Sequence, residues 1–162
     1  MSARTGIGYD SHRLEPGRRL VLGGVEVPDS PVGLAGHSDA DALTHAVIDA
    51  LLGAAGLGDI GLHFPDTDER WHDADSLDLL SQVCVFLEEH DFVVTHVDAT
   101  VICEAPKLGP FRDEMRRVLA SVVGVPGRAV NVKFTTNEGM GWVGRGEGIA
   151  AMAVATLERG SA

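Results

Sequence analysis

The stretch SDADALTHAVIDALLGAAG, residues 38–56, carries the strongest structural signal in the chain. Apolar residues recur through it at helical spacing, which predicts an amphipathic helix with one face toward a core. Ser38, followed three positions later by Asp41, resembles a capping box, so the helix is expected to begin at Ser38. Gly56 suits a left-handed C-terminal cap, so the helix is expected to end there.

Segments on either side of this helix predict further strands and helices. Before it, Gly23-Gly24 predicts a hairpin turn. The predicted elements are strands over Thr5–Tyr9, Arg19–Leu22, Val25–Val27, Phe92–Ile102 and Val130–Thr136, and helices over Asp75–Glu89 and Pro110–Val123. The Ala-rich tail Gly148–Leu157 fits a helix or a strand. Interspersed strands and helices, without a linker or repeat, predict one α/β or α+β domain over residues 1–162.

Composition narrows the class of protein. Hydrophobic residues make up 44% of the chain and aromatic residues 5%, which predicts a core of Ala, Val and Leu. The net charge of −11 argues against a binder of nucleic acid or of anionic membranes. No apolar run reaches the length of a membrane span, and the N-terminus lacks an apolar secretion signal. Cys84 and Cys103 lack CxxC spacing, which predicts reduced thiols in a cytoplasmic protein.

A metal site is predicted where the first strand ends. Asp10 and His12 lie on one face of that strand, two rises of about 3.3 Å apart. His45, two turns into the helix, can reach the same ion, and three ligands with an open fourth position are typical of catalytic zinc. Asp49, one turn after His45, is expected to accept a hydrogen bond from its imidazole. The alternative is that Asp10 caps a turn and the histidines are ordinary polar residues.

Phosphate-binding groups are predicted around the start of the same helix. The backbone N–H groups of His37–Asp41 are expected to form a phosphate cradle, although Ser38 serves equally well as an N-cap. His37 is expected to stand beside both the helix start and the metal. The Gly-, Pro- and Asp-rich loop over residues 58–68 fits either a solvated turn cluster or a lid whose carboxylates bind substrate hydroxyls.

Two later segments offer further polar groups. Lys107 follows the Phe92–Ile102 strand, where a lysine can meet a phosphate or remain solvated. Thr135-Thr136-Asn137-Glu138 provides hydroxyls, an amide and a carboxylate, a set suited to phosphate and to a hard cation such as Mg²⁺. Gly144-Arg145-Gly146-Glu147-Gly148 fits either a close backbone approach or a turn with a salt bridge.

Together these blocks resemble the 2-C-methyl-D-erythritol 2,4-cyclodiphosphate synthases of the non-mevalonate isoprenoid pathway. The resemblance runs from Gly6 to about Leu157. It rests on GIGYDSH (6–12), LGGVEVP (22–28), GHSDADALTHAVIDALLGAAGLGDIG (36–61), FPDTD (64–68), APK (105–107), VKFTTNEGMGW (132–142) and GRGEGIA (144–150).

The resemblance implies an α+β fold, with a small mixed β-sheet, helices packed on one side and the tail as a strand. It implies a cytoplasmic homotrimer whose sheets face the three-fold axis and whose active sites lie between subunits. The implied enzyme is a metal-dependent phosphorus–oxygen lyase. It would convert 4-diphosphocytidyl-2-C-methyl-D-erythritol 2-phosphate to 2-C-methyl-D-erythritol 2,4-cyclodiphosphate and CMP.

Residue roles follow from matching positions. The zinc ligands fall on Asp10, His12 and His45, and the magnesium or manganese ligand falls on Glu138. His37 and Thr136 match the catalytic residues that stabilise the transition state. The remaining implied substrate contacts are Ser38, Asp59, Ile60, Gly61, Phe64, Pro65, Asp66, Thr67, Asp68, Cys103, Glu104, Ala105, Pro106, Lys107, Leu108, Gly109, Thr135, Asn137, Trp142 and Arg145.

This sequence departs from the family pattern at Cys103, Gly109 and Trp142, which affects the expected shape of the pocket but not the expected reaction. Two other functions remain open at this point. A metal-dependent phosphoesterase would use the same ligand types with water as the nucleophile. A purely structural zinc site would need four protein ligands, and the sequence suggests no fourth ligand near Asp10, His12 and His45.

Overall fold

A five-stranded mixed sheet forms the centre of the computed structural model, which describes residues 2–160. Its strands are β1 (Arg4–Pro16), β4 (Val32–Leu34), β5 (Phe92–Ile102), β6 (Val130–Thr135) and β7 (Gly148–Arg159). They lie in the order β4-β1-β7-β5-β6, with β5 and β6 parallel and the other neighbours antiparallel. The predicted α+β class with a mixed sheet is therefore confirmed.

Helices cover one face of this sheet. They are α1 (Ala42–Ala55), α2 (Ile60–His63), α3 (Ser76–Glu89) and α4 (Arg112–Val123), while the short α5 (Gly141–Gly144) lies beside the start of β7. Helix α1 lies across β1 and β7, while α3 and α4 pack beside it toward β5 and β6. One continuous apolar core fills the space between helices and sheet. No helix within residues 2–160 has the length and apolarity needed to cross a membrane.

Helix α1 begins later than predicted. Asp41, not Ser38, is its N-cap, and its side chain accepts a hydrogen bond from the backbone N–H of Thr44 at 2.9 Å. The same buried carboxylate accepts hydrogen bonds from Gly23 N at 2.8 Å and Gly24 N at 2.7 Å. It thereby ties the helix to the turn between β2 (Val21–Leu22) and β3 (Val25–Glu26). The C-terminal cap at Gly56 is confirmed by its left-handed backbone.

Groups of the chain itself occupy three backbone N–H donors of the predicted phosphate cradle, those of Asp39, Ala40 and Asp41, so the cradle stays a prediction only for its other donors. Ala40 N donates to Ser38 Oγ and Asp41 N donates to Asp39 Oδ1. Asp39 N donates to the carbonyl of Ala74. A buried carboxylate at the cap also places negative charge where a phosphate would bind.

Strand β1 approaches α1 unusually closely at two glycines. A Cβ added to Gly8 would lie 1.9 Å from the carbonyl oxygen of Ala46, and one added to Gly6 would lie 2.1 Å from that of Ala50. Only glycine leaves room for this contact, which explains the alternation of glycine in residues 6–8. The contact brings His45 of α1 onto the strand that carries Asp10 and His12.

Two strands are longer than their local patterns predicted. Strand β1 continues through Asp10–His12 to Pro16, because β7 pairs with it as far as Arg13 and β4 pairs with it over Leu14–Pro16. The ambiguous tail is β7, as the family resemblance implied. Helix α3, strand β5 and the hairpin β2–β3 confirm their predictions, and α4 follows a 3-10 turn over Gly109–Phe111.

The face of the sheet away from the helices exposes large apolar side chains. Ile7 is 65% exposed and Tyr9 52% exposed on β1, and they pair across the strands with Val154 and Met152 of β7, which are also exposed. We call Ile7, Tyr9, Met152 and Val154 the outer sheet patch. Contiguous exposed apolar groups on a sheet mark an interaction surface more often than a solvated face.

Candidate metal centre and active-site cleft

Asp10, His12 and His45 meet on the helix side of the sheet, as predicted. Alternation along β1 points Asp10 and His12 to the same side, and α1 places His45 above them. One ligand atom from each residue lies within 4.8 Å of the other two. The spacing and the atom types suit a divalent cation held by two imidazoles and a carboxylate.

The contacts within this group fit a cation. The Asp10 Oδ2 atom lies 2.7 Å from His12 Nε2 and 3.2 Å from His45 Nδ1. His12 Nδ1 lies 2.8 Å from the carbonyl oxygen of Ala35, so it is the nitrogen that donates a hydrogen, which leaves Nε2 with its lone pair. That Nε2 atom is buried and forms no hydrogen bond of acceptable geometry. A bare nitrogen facing a carboxylate oxygen is the arrangement that a shared metal ion completes.

The protonation of Asp10 also suits a metal ligand. Burial alone would raise the pKa of Asp10, but the contacts and charges of His12 and His45 outweigh burial and lower its pKa to about 2. Burial would lower the pKa of His12, but Asp10 outweighs that effect and raises it. Asp10 is therefore an ionised ligand throughout the physiological range of pH.

The predicted role of Asp49 is wrong. His45 Nε2 lies 2.8 Å from Ser76 Oγ, at the first residue of α3, and not against Asp49. The carboxylate of Asp49 instead accepts a hydrogen bond from Ile60 N at 2.8 Å, and burial raises its pKa. Helical spacing placed Asp49 on the same face as His45, but the backbone donor at the start of α2 is its actual partner.

A cleft of about 480 Å³ opens beside the three predicted metal ligands. Most of its lining was predicted as site residues. The lining consists of His12, His37, Ser38, His45, Ile60, Gly61, Phe64, Pro65, Asp66, Thr67, Trp71 and Leu79. Residues from three places therefore line the same cleft: the predicted metal ligands His12 and His45, the segment before α1, and the loop over residues 58–68.

Trp71 and Leu79 are cleft residues that the sequence reasoning missed. Trp71 packs its ring against Phe64 in an edge-to-face contact, with centroids 5.0 Å apart. An aromatic residue in an otherwise polar segment was the available signal for Trp71. Leu79 carried no such signal, because a leucine at helical spacing in α3 is indistinguishable from other core residues.

His37 stands in the cleft wall with an unsatisfied group. Its Nε2 atom is buried and has no hydrogen-bond partner among the described residues. Its ring contacts the edge of His72, with centroids 5.0 Å apart. A buried imidazole nitrogen without a partner is costly unless a bound molecule supplies one, so His37 is suited to contact a ligand in the cleft.

The carboxylates at the two ends of the loop have structural partners. Asp59 caps α2 by accepting a hydrogen bond from Leu62 N at 2.9 Å. Asp68 caps a 3-10 turn and pairs with Arg70 at 2.6 Å. Of the predicted substrate contacts in the loop, Ile60, Gly61 and Phe64–Thr67 line the cleft. Asp59 and Asp68 instead cap the helical turns at the two ends of the loop.

A second group of predicted site residues gathers at the ends of β5 and β6. Glu104 accepts a hydrogen bond from Asn137 N at 2.6 Å, and Cys103 N donates to the carbonyl of Thr135 at 2.9 Å. These bonds join the Cys103–Gly109 segment to the Thr135–Glu138 segment. Leu108 is buried in the core, so its side chain is unavailable to a ligand, and Glu138 is exposed.

The two groups are separate within one chain. Ser11, Ala150, Ile102 and Thr135 form one row across β1, β7, β5 and β6. Three strand spacings of about 4.8 Å therefore put roughly 14 Å between the metal-bearing strand and Thr135. Thr135 also shares the outer face with Ser11, whereas Asp10 and His12 point to the helix side.

Trp142 and Arg145 lie near β1 but outside the main cleft. The ring of Trp142 packs over Gly148, and with Ser11 and Arg13 it borders a separate small hollow. Arg145 donates to Glu147 Oε1 at 2.6 Å, which confirms the salt-bridged turn that its sequence allowed.

The chain is similar to known proteins along most of its length. The model of the YgbB family matches residues 3–158. The 2-C-methyl-D-erythritol 2,4-cyclodiphosphate synthase of Symbiobacterium thermophilum is 59% identical, with 94% of this chain and 96% of that protein covered. The enzyme of the same name from Alkaliphilus metalliredigens is 55% identical, with 95% and 96% covered.

A solved structure of a 2C-methyl-D-erythritol-2,4-cyclodiphosphate synthase in its CDP-bound form has the same fold. It superposes with a TM-score of 0.88 at 41% identity, and the match covers 96% of this chain and all of that one. The chain therefore belongs to the YgbB family, and the relatives it resembles along almost its whole length are 2-C-methyl-D-erythritol 2,4-cyclodiphosphate synthases.

Proposed function

We propose that this protein converts 4-diphosphocytidyl-2-C-methyl-D-erythritol 2-phosphate to 2-C-methyl-D-erythritol 2,4-cyclodiphosphate and CMP, in the biosynthesis of isoprenoid precursors. The observation that carries the proposal is the convergence of Asp10, His12 and His45 beside a cleft that both histidines line, in a chain whose relatives are named for this reaction. Two free cysteines support a cytoplasmic location for it.

The reaction is an intramolecular displacement. An oxygen of the 2-phosphate attacks the β-phosphorus, and the new P–O bond closes the ring. The bond from the β-phosphorus to the oxygen of the CMP phosphate breaks, and CMP leaves with its electron pair. Because the nucleophile is already an anion, no protein base is required, and catalysis depends on positioning and on neutralising charge.

Two cations are part of the proposal. Asp10 Oδ2, His12 Nε2 and His45 Nδ1 are the atoms that would hold Zn²⁺, and Glu138 is the proposed ligand for Mg²⁺ or Mn²⁺. When bound, these ions supply positive charge to phosphate oxygens that would otherwise repel each other and the acidic protein. The need for positive charge at the site is large in this protein, because the chain itself carries a net charge of −11.

Side chains of this protein orient the substrate. The buried Nε2 of His37 is placed to donate a hydrogen bond to a phosphoryl oxygen in the cleft. Ser38, Asp66 and Thr67 offer polar groups from the same walls to the phosphate and to the hydroxyls of the methylerythritol portion. Phe64 and Trp71 pack together beside them and exclude water from the reacting groups.

The cytidine phosphate is assigned to the second group of residues. Atoms of the Cys103–Gly109 segment, with only the backbone contributing at the buried Leu108, are proposed to hold the nucleotide together with Thr135 and Asn137, and Thr136 to stabilise the transition state. Roughly 14 Å of sheet separates this group from β1 in one chain, which supports the proposal that a second copy brings it to the metal-bearing cleft.

A homotrimer with sheets facing its three-fold axis is therefore part of the proposal. The outer sheet patch supplies the apolar surface for such contacts, and Asp98, paired with Lys133 at 2.6 Å, supplies polar groups on the same face. Trp142 and Arg145 follow β6 and are assigned to the region near the substrate and the axis. A cyclic arrangement places the nucleotide group of one subunit beside the metal group of the next.

The direct test supplies the cytidylylated substrate and Mg²⁺ to the zinc-loaded protein. We expect release of CMP, followed by chromatography, together with the ³¹P NMR signature of a cyclic diphosphate. The same reaction after treatment with a chelator is the control, and activity should return when metal is restored. A linear phosphate product would show hydrolysis instead of cyclisation, and absence of CMP release by the metal-loaded protein would refute the proposal.

A further inference from the structure

We propose that Ser76 and Asp39 are positioning residues that fix the imidazole of His45 in the tautomer with hydrogen on Nε2, so that Nδ1 presents its lone pair to the metal. The inference deepens the proposed metal site and rests on it. Neither residue is among the ligands or substrate contacts assigned above, and they act on the metal only through His45.

The direction of the hydrogen bonds carries the argument. The hydroxyl of Ser76 donates its single hydrogen to Asp39 Oδ1, in a short contact with a carboxylate that can only accept. Ser76 Oγ can then only accept from His45 Nε2, which lies 2.8 Å away. Nε2 must therefore carry the hydrogen of the neutral imidazole. Its other nitrogen, Nδ1, is left bare and faces Asp10 Oδ2 at 3.2 Å.

The relay is held rigidly on both sides. Ser76 is fully buried, and its backbone N–H donates to Asp39 Oδ2 at 3.1 Å, so both oxygens of Asp39 bind the same residue. Asp73 N donates to the carbonyl of His37 at 2.8 Å, and Asp39 N donates to that of Ala74 at 3.2 Å. The segment before α1 and the segment before α3 are thereby locked together around His45.

Other candidates for this role are weaker. Ser38 Oγ lies 3.3 Å from His45 Nε2, a longer contact than that of Ser76, and it already accepts a hydrogen bond from Ala40 N at 3.1 Å. Asp49 accepts from Ile60 N instead of from His45. Partners of metal-bound imidazoles that fix the tautomer typically change metal affinity by about 10-fold to 100-fold when removed.

The principal test is the zinc affinity of Ser76→Ala, measured by competition with a chromophoric chelator. We expect affinity to fall by about 10-fold or more relative to the unmodified protein. Thr44→Val is the matched control, because it also removes a buried hydroxyl bonded to a carboxylate, Thr44 Oγ1 to Asp41 Oδ2 at 2.7 Å. That control should lose stability but keep its zinc affinity, since Thr44 does not contact the His45 ring.

A second measurement needs no variant. The ¹⁵N chemical shifts of His45 in the metal-free protein should show hydrogen on Nε2, and Ser76→Thr, which keeps the hydroxyl, should preserve that signature. Hydrogen on Nδ1, or zinc affinity of Ser76→Ala within about twofold of the unmodified protein, would overturn the relay. If the unmodified protein took up no zinc, the proposed metal site would be refuted. The ¹⁵N shifts would still test separately whether Ser76 and Asp39 fix the tautomer of His45.

Discussion

At the scale of single residues, the site resolves a conflict of charge. The chain carries −11 overall, yet its proposed substrate is a polyanion. Asp10 puts one of these negative charges beside the cleft, but it lies between two imidazoles in an arrangement that suits a cation. In the proposed site, a bound cation and donors such as His37 would therefore set the local sign of the charge, and not the average charge of the surface.

Replacing His45 by alanine tests whether the metal is catalytic or structural. Only one of three ligands is lost, and the core does not depend on the metal, so we expect His45→Ala to fold. Activity should fall by about 10³-fold or more, because the loss of metal charge stabilisation is worth several kcal/mol. Zinc content by mass spectrometry and unfolding in urea are the measurements. Unfolding of the variant together with loss of metal would instead support a structural zinc.

The metal ligands could be predicted from the sequence, but their supporting residues could not. Asp10 and His12 follow from alternation along one strand, and His45 from a helix that packs on it. Asp49 was placed by helical spacing alone, which gives the face of a helix but not the competing donors around it. Ser76 is 31 positions from His45, and only the packing of α3 brings the two together.

Asp49 gives a prediction about pH and stability. Burial raises its pKa in the folded chain above the ordinary value of 3.8, so folding disfavours its ionised form. The cost is present above the folded pKa and vanishes below the unfolded one. Asp49→Asn keeps the acceptor for Ile60 N and removes the charge. We expect its urea midpoint to exceed that of the unmodified protein near neutral pH, with a difference that shrinks as the pH falls toward 4.

The control for Asp49→Asn is Glu89→Gln, which removes one negative charge from the exposed end of α3. Any rise in the urea midpoint of Glu89→Gln reports the general reduction in repulsion among acidic groups. A larger rise for Asp49→Asn then reports the relief of burying the Asp49 charge. A lower midpoint for Asp49→Asn at every pH would contradict the prediction, because it would mean that the charged form is the one stabilised by Ile60 N.

At the scale of elements, the packing of α1 on β1 decides whether the metal ligands meet. Gly8 contacts the backbone of Ala46, one residue from His45, so a displaced helix would move a ligand directly. The extent of α1, the turn at Gly23-Gly24 and strand β5 follow from local pattern. The start of α1 at Asp41 does not follow from local pattern. The carboxylate of Asp41 also accepts hydrogen bonds from the backbone N–H groups of Gly23 and Gly24, which lie in a distant part of the chain.

Gly8→Ala should therefore destabilise the protein by about 3 kcal/mol or more, since its Cβ would lie 1.9 Å from the Ala46 carbonyl oxygen. Gly53→Ala is the contrasting variant on the same interface. A Cβ there would lie 3.8 Å from its nearest neighbour, Ile7 O, and alanine favours a helix. We expect it to stabilise by about 0.5–1 kcal/mol in urea unfolding. Equal effects of the two substitutions would contradict the close approach inferred at Gly8.

At the scale of the whole molecule, the proposed function divides the active site into two halves that lie apart in one chain. The metal group lies at β1 and α1, and the nucleotide group lies beyond β5 and β6. Local sequence patterns identified both halves, but they could not show that roughly 14 Å of sheet separates them. In the proposed homotrimer, the exposed outer sheet patch is the surface through which copies would associate and bring complementary halves together.

Complementation between inactive variants tests this arrangement. His45→Ala disables the metal half and Glu138→Gln disables the nucleotide half, so each homotrimer should be nearly inactive. If the two variants are made in equal amounts and mix at random, each mixed trimer has about one site in three that combines an intact metal half from one subunit with an intact Glu138 from its neighbour, which is about a quarter of all sites when the unmixed trimers are included. We expect co-expression to restore roughly that share of activity.

His45→Ala co-expressed with His12→Ala is the matched control and should stay inactive, because both changes damage the same half. Failure of the first pair to complement, with mixed trimers demonstrated by mass spectrometry, would place the whole site within one subunit.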